Sequence, residues 1–244
     1  MDLAGRGVIV TGGRRVGRAV AAALVARGAN LILPYRHSRA EAEETAALAQ
    51  QRGCRAVTLQ ADLSRWADAE RVIATAISQV GNVDALVHLA STYQRTPLHA
   101  LDERHWSDSL AANATTAYNC AVLAGREMVR GAGGRIVLVS DWAVHRPYLD
   151  YIPYFAAKGA VEALTRALAV ELAPKVQVNC IAPGPVLLPT DVGERERQSI
   201  TRKTLLQRLG TPDDIAAAVV YLLEGGDYVT GTILPVDGGR TLAS

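Results

Sequence analysis

The chain is poor in phenylalanine, methionine and cysteine, with one, two and three respectively in 244 residues. Cys54, Cys120 and Cys180 are odd in number, far apart and without a histidine at ligand spacing. That excludes a disulfide framework and a zinc site, and it reads as reduced, buried thiols of a cytoplasmic protein. No apolar run reaches the roughly 18 residues of a membrane span, because Arg27 and Asn30 interrupt the best candidate. The start, Met1-Asp2-Leu3-Ala4-Gly5-Arg6, lacks the basic-then-apolar order of a signal peptide. An excess of one charge is also missing. Lys and Arg number 26 against 24 Asp and Glu, a net +2. Without a basic stripe, binding to nucleic acid has no electrostatic footing. The densest charge run, 194–197, alternates in sign and reads as a solvated face.

What is present is a globular composition, 49% hydrophobic and 20% charged. That supplies ample apolar surface against chain entropy. Strand-length apolar runs alternate with helical patterns from end to end. Strands are expected at 7–11, 31–35, 57–60, 83–89, 135–140, 176–181 and 232–236. Helices are expected at 16–27, 40–51, 67–80, 101–130, 154–172 and 213–223, with Gly28 and Gly81 as C-caps. The strands show no polar alternation, which a parallel sheet covered on both faces requires. The expected fold is therefore α/β, a single doubly wound Rossmann-type domain over 1–244 with a seven-stranded parallel sheet. The longest irregular stretch, about 183–203, is of a length usual for binding loops.

Strand one ends at Thr11 and runs into Gly12-Gly13-Arg14-Arg15-Val16-Gly17. Glycines there permit a tight turn and close approach of a pyrophosphate to a helix N-terminus. An acid after strand two would grip the ribose 2′-OH of NAD. This chain has Arg36, His37 and Ser38 instead, with Arg14 nearby in the first loop, a set suited to the 2′-phosphate of NADPH. Tyr154 and Lys158 stand four apart, on one face of a helix. A cation beside a phenol favours phenolate and makes the tyrosine a usable acid/base.

Together these motifs resemble the short-chain dehydrogenase/reductase family over nearly the whole chain. The supporting positions are Thr11-Gly12, Asp62 after strand three, Asn113, the Tyr154/Lys158 pair, Val178-Asn179, Pro183-Gly184 and the ending Tyr228-Val229-Thr230-Gly231. The resemblance implies catalytic Asn113, Tyr154 and Lys158. It also implies cofactor contacts from Gly12, Arg15, Val16, Gly17, Asp62, Leu63, Ala90, Ser91, Pro183, Gly184 and Val186. It further implies a homotetramer through the helices at 101–130 and 151–172.

The family's serine, thirteen residues before the tyrosine, is Asp141 here. Ser140 is its neighbour, but adjacent strand residues face opposite ways. An Asp-Tyr-Lys set resembles the pteridine reductase branch. So do Arg15, the segment Ala90-Ser91-Thr92-Tyr93, and a substrate loop at about 184–208 that includes Leu188-Pro189. That resemblance implies substrate contacts from Arg15, Ser91, Tyr93, Asp141 and Tyr154. It implies NADPH-dependent reduction of a pterin or dihydrofolate C=N bond, with Tyr93 stacked on the ring. Two other readings stay open: an NADPH-dependent reductase of a ketone or 3-oxoacyl compound, and a dinucleotide-binding sensor without turnover. The usual Asn-Asn pair after strand four is His88-Leu89, with His88 expected as a buried, hydrogen-bonded replacement.

Overall fold

The computed structural model describes residues 1–188 and 192–243. Seven parallel strands form one sheet. They are β1 (Gly7–Thr11), β2 (Asn30–Tyr35), β3 (Ala56–Gln60), β4 (Ala85–His88), β5 (Gly134–Val139), β6 (Val176–Pro183) and β7 (Ile233–Val236). Their order is β3-β2-β1-β4-β5-β6-β7. The expected α/β doubly wound sheet is therefore present.

Successive residues of each strand enter opposite layers. Val8 and Val10 of β1 and Leu31 and Leu33 of β2 pack with Val20 and Leu24 of α1 (Val16–Val25) and Val219 of α8 (Pro212–Val220). Ile9 and Ile32 point the other way. They meet Val72 and Ile73 of α3 (Trp66–Val80), Leu123 of α5 (Thr116–Arg130) and Val161 of α6 (Ile152–Glu171). Burial on both faces is why the strands read as unbroken apolar runs. The remaining layer helix, α2 (Arg39–Gln51), covers β2 and β3. All three cysteines are buried and free.

Several boundaries differ from the sequence reading. Helix α1 ends at Val25, and Gly28 caps it as expected, at φ +79°, with its amide donating to the Val25 carbonyl and that of Ala29 to the Leu24 carbonyl. The expected 101–130 helix is interrupted. Asp102 caps α4 (Glu103–Ser109) by accepting from the His105 amide at 2.9 Å. The chain then widens into a π-helical turn, Leu110–Thr115, before α5. The expected 213–223 helix likewise passes into a π-helical turn, Tyr221–Gly225. The stretch at 183–203 is not wholly irregular, since it holds α7 (Glu194–Arg202). Helix α7 buries no residue, so it has no apolar periodicity to betray it. Its charged run is exposed as expected. Pro189, in the expected substrate loop, lies outside the described residues.

Candidate active site

The chain runs outward from β1 to β3, then returns to place β4 on the other side of β1. Ligands of doubly wound sheets bind where the order reverses, at the carboxyl ends of the strands. Here that crevice lies between Thr11 of β1 and His88 of β4, which are register partners. Gly12 has φ +70°, and a Cβ there would stand 2.7 Å from the Ala90 nitrogen. Only glycine lets the two loops approach this closely. Arg15 precedes α1 with no side-chain cap on the helix amides, and Arg14 and Arg15 are both exposed. Uncapped amides, flanking cations and a glycine cradle fit a dinucleotide pyrophosphate.

The other expected cofactor residues border the same edge of the sheet. Arg36, His37 and Ser38 follow β2, and Arg36 Nε donates to His37 Nε2 at 2.9 Å. Arg14 is drawn to the same corner, paired with Glu41 in the first turn of α2 at 3.0 Å. Asp62 accepts from both the amide and the hydroxyl of Ser64, bonds that hold its carboxyl below the usual range. Leu63 is buried beside it, and its carbonyl accepts from Asn119. Pro183 ends β6. Gly184 lies so close to Asp237 that a Cβ would meet its Cα at 2.5 Å. Val186 packs under the sheet edge near Gly210.

The tetrad positions converge. Tyr154 donates its hydroxyl to Asp141 Oδ2 at 2.8 Å. Asp141 sits just beyond β5 and accepts from the Ala143 amide through Oδ1 at 2.9 Å. Lys158, one turn further along α6, donates to the Val139 carbonyl at 2.9 Å. Its Nζ lies 5.8 Å from the Tyr154 ring centroid. Asn113 is carried on the π-helical turn. Its Oδ1 accepts from Ser91 Oγ at 2.7 Å and from the Thr92 amide at 3.1 Å. Its Nδ2 donates to the Ser109 carbonyl at 3.0 Å.

The electrostatics correct one expectation. The net shift on Tyr154 runs away from phenolate, opposite to that expectation. Burial pushes the phenol well above its ordinary value, and the neighbouring Asp141 carboxylate pushes it further. Burial also raises Asp141, against the opposing pull of the Ala143 amide, Tyr154 and Lys158. Burial lowers Lys158, with Asp141 opposing. Burial first, and this carboxylate second, favour the protonated phenol.

Ser140 does not reach Tyr154. It is buried and donates to Glu162 Oε1 at 3.1 Å. His88 is the expected hydrogen-bonded replacement, and its partners fix its tautomer. Thr11 Oγ1 accepts from the amides of Leu89 and Ala90, so its own proton goes to His88 Nδ1 at 3.1 Å. Thr116 Oγ1 donates to the Ala112 carbonyl, so it receives the His88 Nε2–H at 3.2 Å. Burial, with the Lys158 cation adding to it, pushes His88 down to about 3, and the ring stays neutral.

Arg15 and Tyr93 do not touch Asp141 in any hydrogen bond recorded among the described residues. Tyr93 stacks on Tyr151, 4.4 Å between centroids, and meets Tyr154 edge-on at 5.0 Å. Sequence reasoning missed Tyr148, Tyr151, Phe155, Ser109 and Glu162. The aromatic spacing 148, 151, 155 ahead of and into α6 was the available signal.

The comparisons with known proteins agree with this geometry. A family model described as enoyl-(acyl carrier protein) reductase matches residues 11–241. A Streptomyces violaceoruber protein, provisionally named granaticin polyketide synthase ketoacyl reductase 2, is 34% identical over 242 residues, covering 96% of this chain and 95% of its own. The short-chain reductase protein NovJ of Streptomyces niveus is 35% identical, covering 95% and 92%. Acetoin dehydrogenase from Enterobacter cloacae superposes with a TM-score of 0.88 at 30% identity, covering 98% and 96%. The chain belongs to the short-chain dehydrogenase/reductase family, and it is an oxidoreductase of that family working with a nicotinamide dinucleotide.

Proposed function

We propose that the chain is an NADPH-dependent reductase that protonates a carbonyl oxygen from Tyr154, acting on a ketone or 3-oxoacyl substrate. The 2.8 Å Tyr154–Asp141 hydrogen bond carries this reading. A carboxylate acceptor holds the phenol protonated, which suits reduction. Alcohol oxidation would need the phenolate. The bound cofactor supplies the hydride. Asp141 orients the phenol and, with its own affinity for protons raised by burial, is placed to take a proton from solvent and pass it to the tyrosinate left after transfer. Lys158 stabilises negative charge left on Tyr154. Asn113, fastened by Ser91, Thr92 and Ser109, fixes the polar wall beside it. Arg36, His37 and Ser38, with Arg14, supply cations and donors for a 2′-phosphate, and no acid directly follows β2 to take a ribose hydroxyl. The names of two relatives, a ketoacyl reductase and an acetoin dehydrogenase, support a carbonyl substrate.

A second reading, reduction of a pterin or dihydrofolate C=N bond, draws on Asp141 itself and on Tyr93 lying 5.0 Å from Tyr154. Arg15 and Ser91 would then complete the substrate contacts. The deciding experiment is optical NADPH oxidation against small ketones, a 3-oxoacyl thioester, dihydrobiopterin and dihydrofolate, with NADH alongside. Turnover of the carbonyl compounds supports the first reading, and turnover of the pterins alone replaces it with the second. Tight NADPH binding with no turnover of any of them would move the weight to a sensor or to a substrate of another kind. Exposed Tyr118 and Val129 on α5 and Val170 on α6 suit a homotetramer built through these helices, which light scattering on the purified protein tests.

A further inference from the structure

The chain has eight tyrosines, three tryptophans and one phenylalanine. Neither layer of the core buries an aromatic ring; Trp66 only packs against one of them from partly outside. Half of these twelve residues stand instead in one connected group at the catalytic tyrosine. Tyr93 lies flat on Tyr151, with an interplanar angle of 12°. Tyr148 meets Tyr151 and Phe155 edge-on, at 5.3 and 4.9 Å. Trp142 lies 6.3 Å from Tyr148, and Tyr154 meets both Tyr93 and Phe155.

The group joins three separate pieces of chain: the loop after β4, the turn after β5 and the start of α6. The first two are fastened together independently of the rings. Arg95 pairs with Asp150, and the Thr96 amide donates to the Asp150 carbonyl at 2.6 Å. The Tyr93 and Tyr148 hydroxyls are hydrogen-bonded at 2.9 Å. The ring wall is thus built before any ligand arrives, which removes an ordering cost from binding. It is also open: Tyr93 is 45% and Tyr148 40% exposed. Aromatic side chains usually serve the core, so a fixed, open group of them beside a catalytic acid points to a ligand with faces of its own.

We infer that the substrate carries its reacting carbonyl on a flat, fused aromatic ring system that packs against the Tyr93–Tyr148 wall. The inference rests on the carbonyl-reductase reading above. An acyclic oxoacyl chain presents no face to such a wall. A pterin presents a face, but it also presents ring nitrogens that need dedicated donors and acceptors. Asp141, the carboxylate best placed to read them, already has Oδ2 engaged by Tyr154 and Oδ1 by Ala143. A ring system with an apolar edge asks only for stacking and for the proton from Tyr154.

The test measures NADPH oxidation with 2-acetylnaphthalene, its saturated counterpart 2-acetyldecalin, an acyclic 3-oxoacyl thioester and dihydrobiopterin. The flat ketone is expected to exceed the saturated one at least tenfold in kcat/KM, mainly through KM. Tyr93→Leu keeps bulk but loses the face, and should shrink that ratio a few-fold to about tenfold. Tyr148→Leu provides the same comparison should Tyr93→Leu fail to fold, with NADPH affinity as the folding check. Calorimetric titration of Tyr154→Phe with 2-acetylnaphthalene in the presence of NADP+ gives a second readout, and binding tighter than that of acetyldecalin is expected. Equal kcat/KM for flat and saturated ketones, or a ratio unmoved in both variants, overturns the inference while leaving the carbonyl reductase intact. Reduction of dihydrobiopterin and no ketone overturns the carbonyl reading itself.

Discussion

Ser140 and Asp141 are adjacent in the chain but engage different turns of α6, Asp141 taking the Tyr154 hydroxyl and Ser140 reaching Glu162. Tyr154 and Glu162 are eight residues apart, about 12 Å along a helix. The serine next door therefore cannot stand in for the one the family places thirteen residues before its tyrosine. The acid at 141, not the serine at 140, adds to the effect of burial on the phenol.

Replacing Tyr154 by Phe removes the hydroxyl that donates to Asp141 Oδ2. Turnover should fall by about a hundredfold or more, the range of a lost general acid. NADPH affinity, measured by fluorescence titration, should stay within a few-fold. Full activity in this variant would remove Tyr154 from the reaction.

Replacing Asp141 by Asn keeps an acceptor and removes the charge. A raised tyrosine pKa means the phenol stays protonated, and reduction persists, until pH climbs past it. Without the neighbouring anion that pKa falls, so the alkaline limb of kcat for reduction should move down by about one to three pH units. Oxidation of the corresponding alcohol, which needs phenolate, should gain at the same pH. An unmoved limb would show that burial alone holds the phenol.

Asp141→Ser separates the two substrate readings. Ketone reduction should be spared or raised, and pterin reduction, where measurable, lowered. The reverse pattern in parallel assays would strip Asp141 of any part in substrate choice.

Arg36→Ala tests cofactor choice. Loss of a charge-assisted contact to a phosphate should raise the KM for NADPH by about ten- to a hundredfold and leave that for NADH nearly constant. Equal effects on both cofactors would place Arg36 away from the 2′-position.

His88→Phe leaves the hydroxyls of Thr11 and Thr116 without their ring partners in a buried place. A loss of about 1 to 3 kcal/mol in denaturant unfolding is expected. NADPH affinity should fall as well, because Thr11 ends the strand that leads into the glycine loop. The ring is neutral in the fold but takes a proton on unfolding below its ordinary pKa of 6.5, so this contribution should be flat at alkaline pH and shrink as pH falls below about 6.5.

Much of this architecture is legible in the residues themselves. The runs at β1, β2 and β5 are apolar without alternation because both faces are covered, and that pattern fixed sheet type and strand count. Tyr154, Lys158 and Asn113 could be placed through the motif order, and Gly12 through the need for close approach. What the sequence did not show is relational. Nothing local in Asn113 announces a π-helical turn, since a helix widens for tertiary reasons and not for propensity. The sign of the shift on Tyr154 is not legible locally, because spacing along α6 brings only Lys158 into view, whereas burial and the carboxyl of Asp141, just beyond β5, come from the tertiary fold. Helix α7 escaped because it buries nothing.

The widened turn at Leu110–Thr115 carries a consequence for how this chain tolerates change in length. A π-helical turn holds one residue more than the α-helix it interrupts. Removing a single residue there should let the segment close into regular helix with α4 and α5 on either side still paired. The helix would survive and Asn113 would not, because its side chain would swing by about 100° away from Ser91 and Thr92. One deletion of this kind would yield a folded protein whose defect lies wholly in the chemistry, while the same deletion in α3 or α6 would dismantle a core layer.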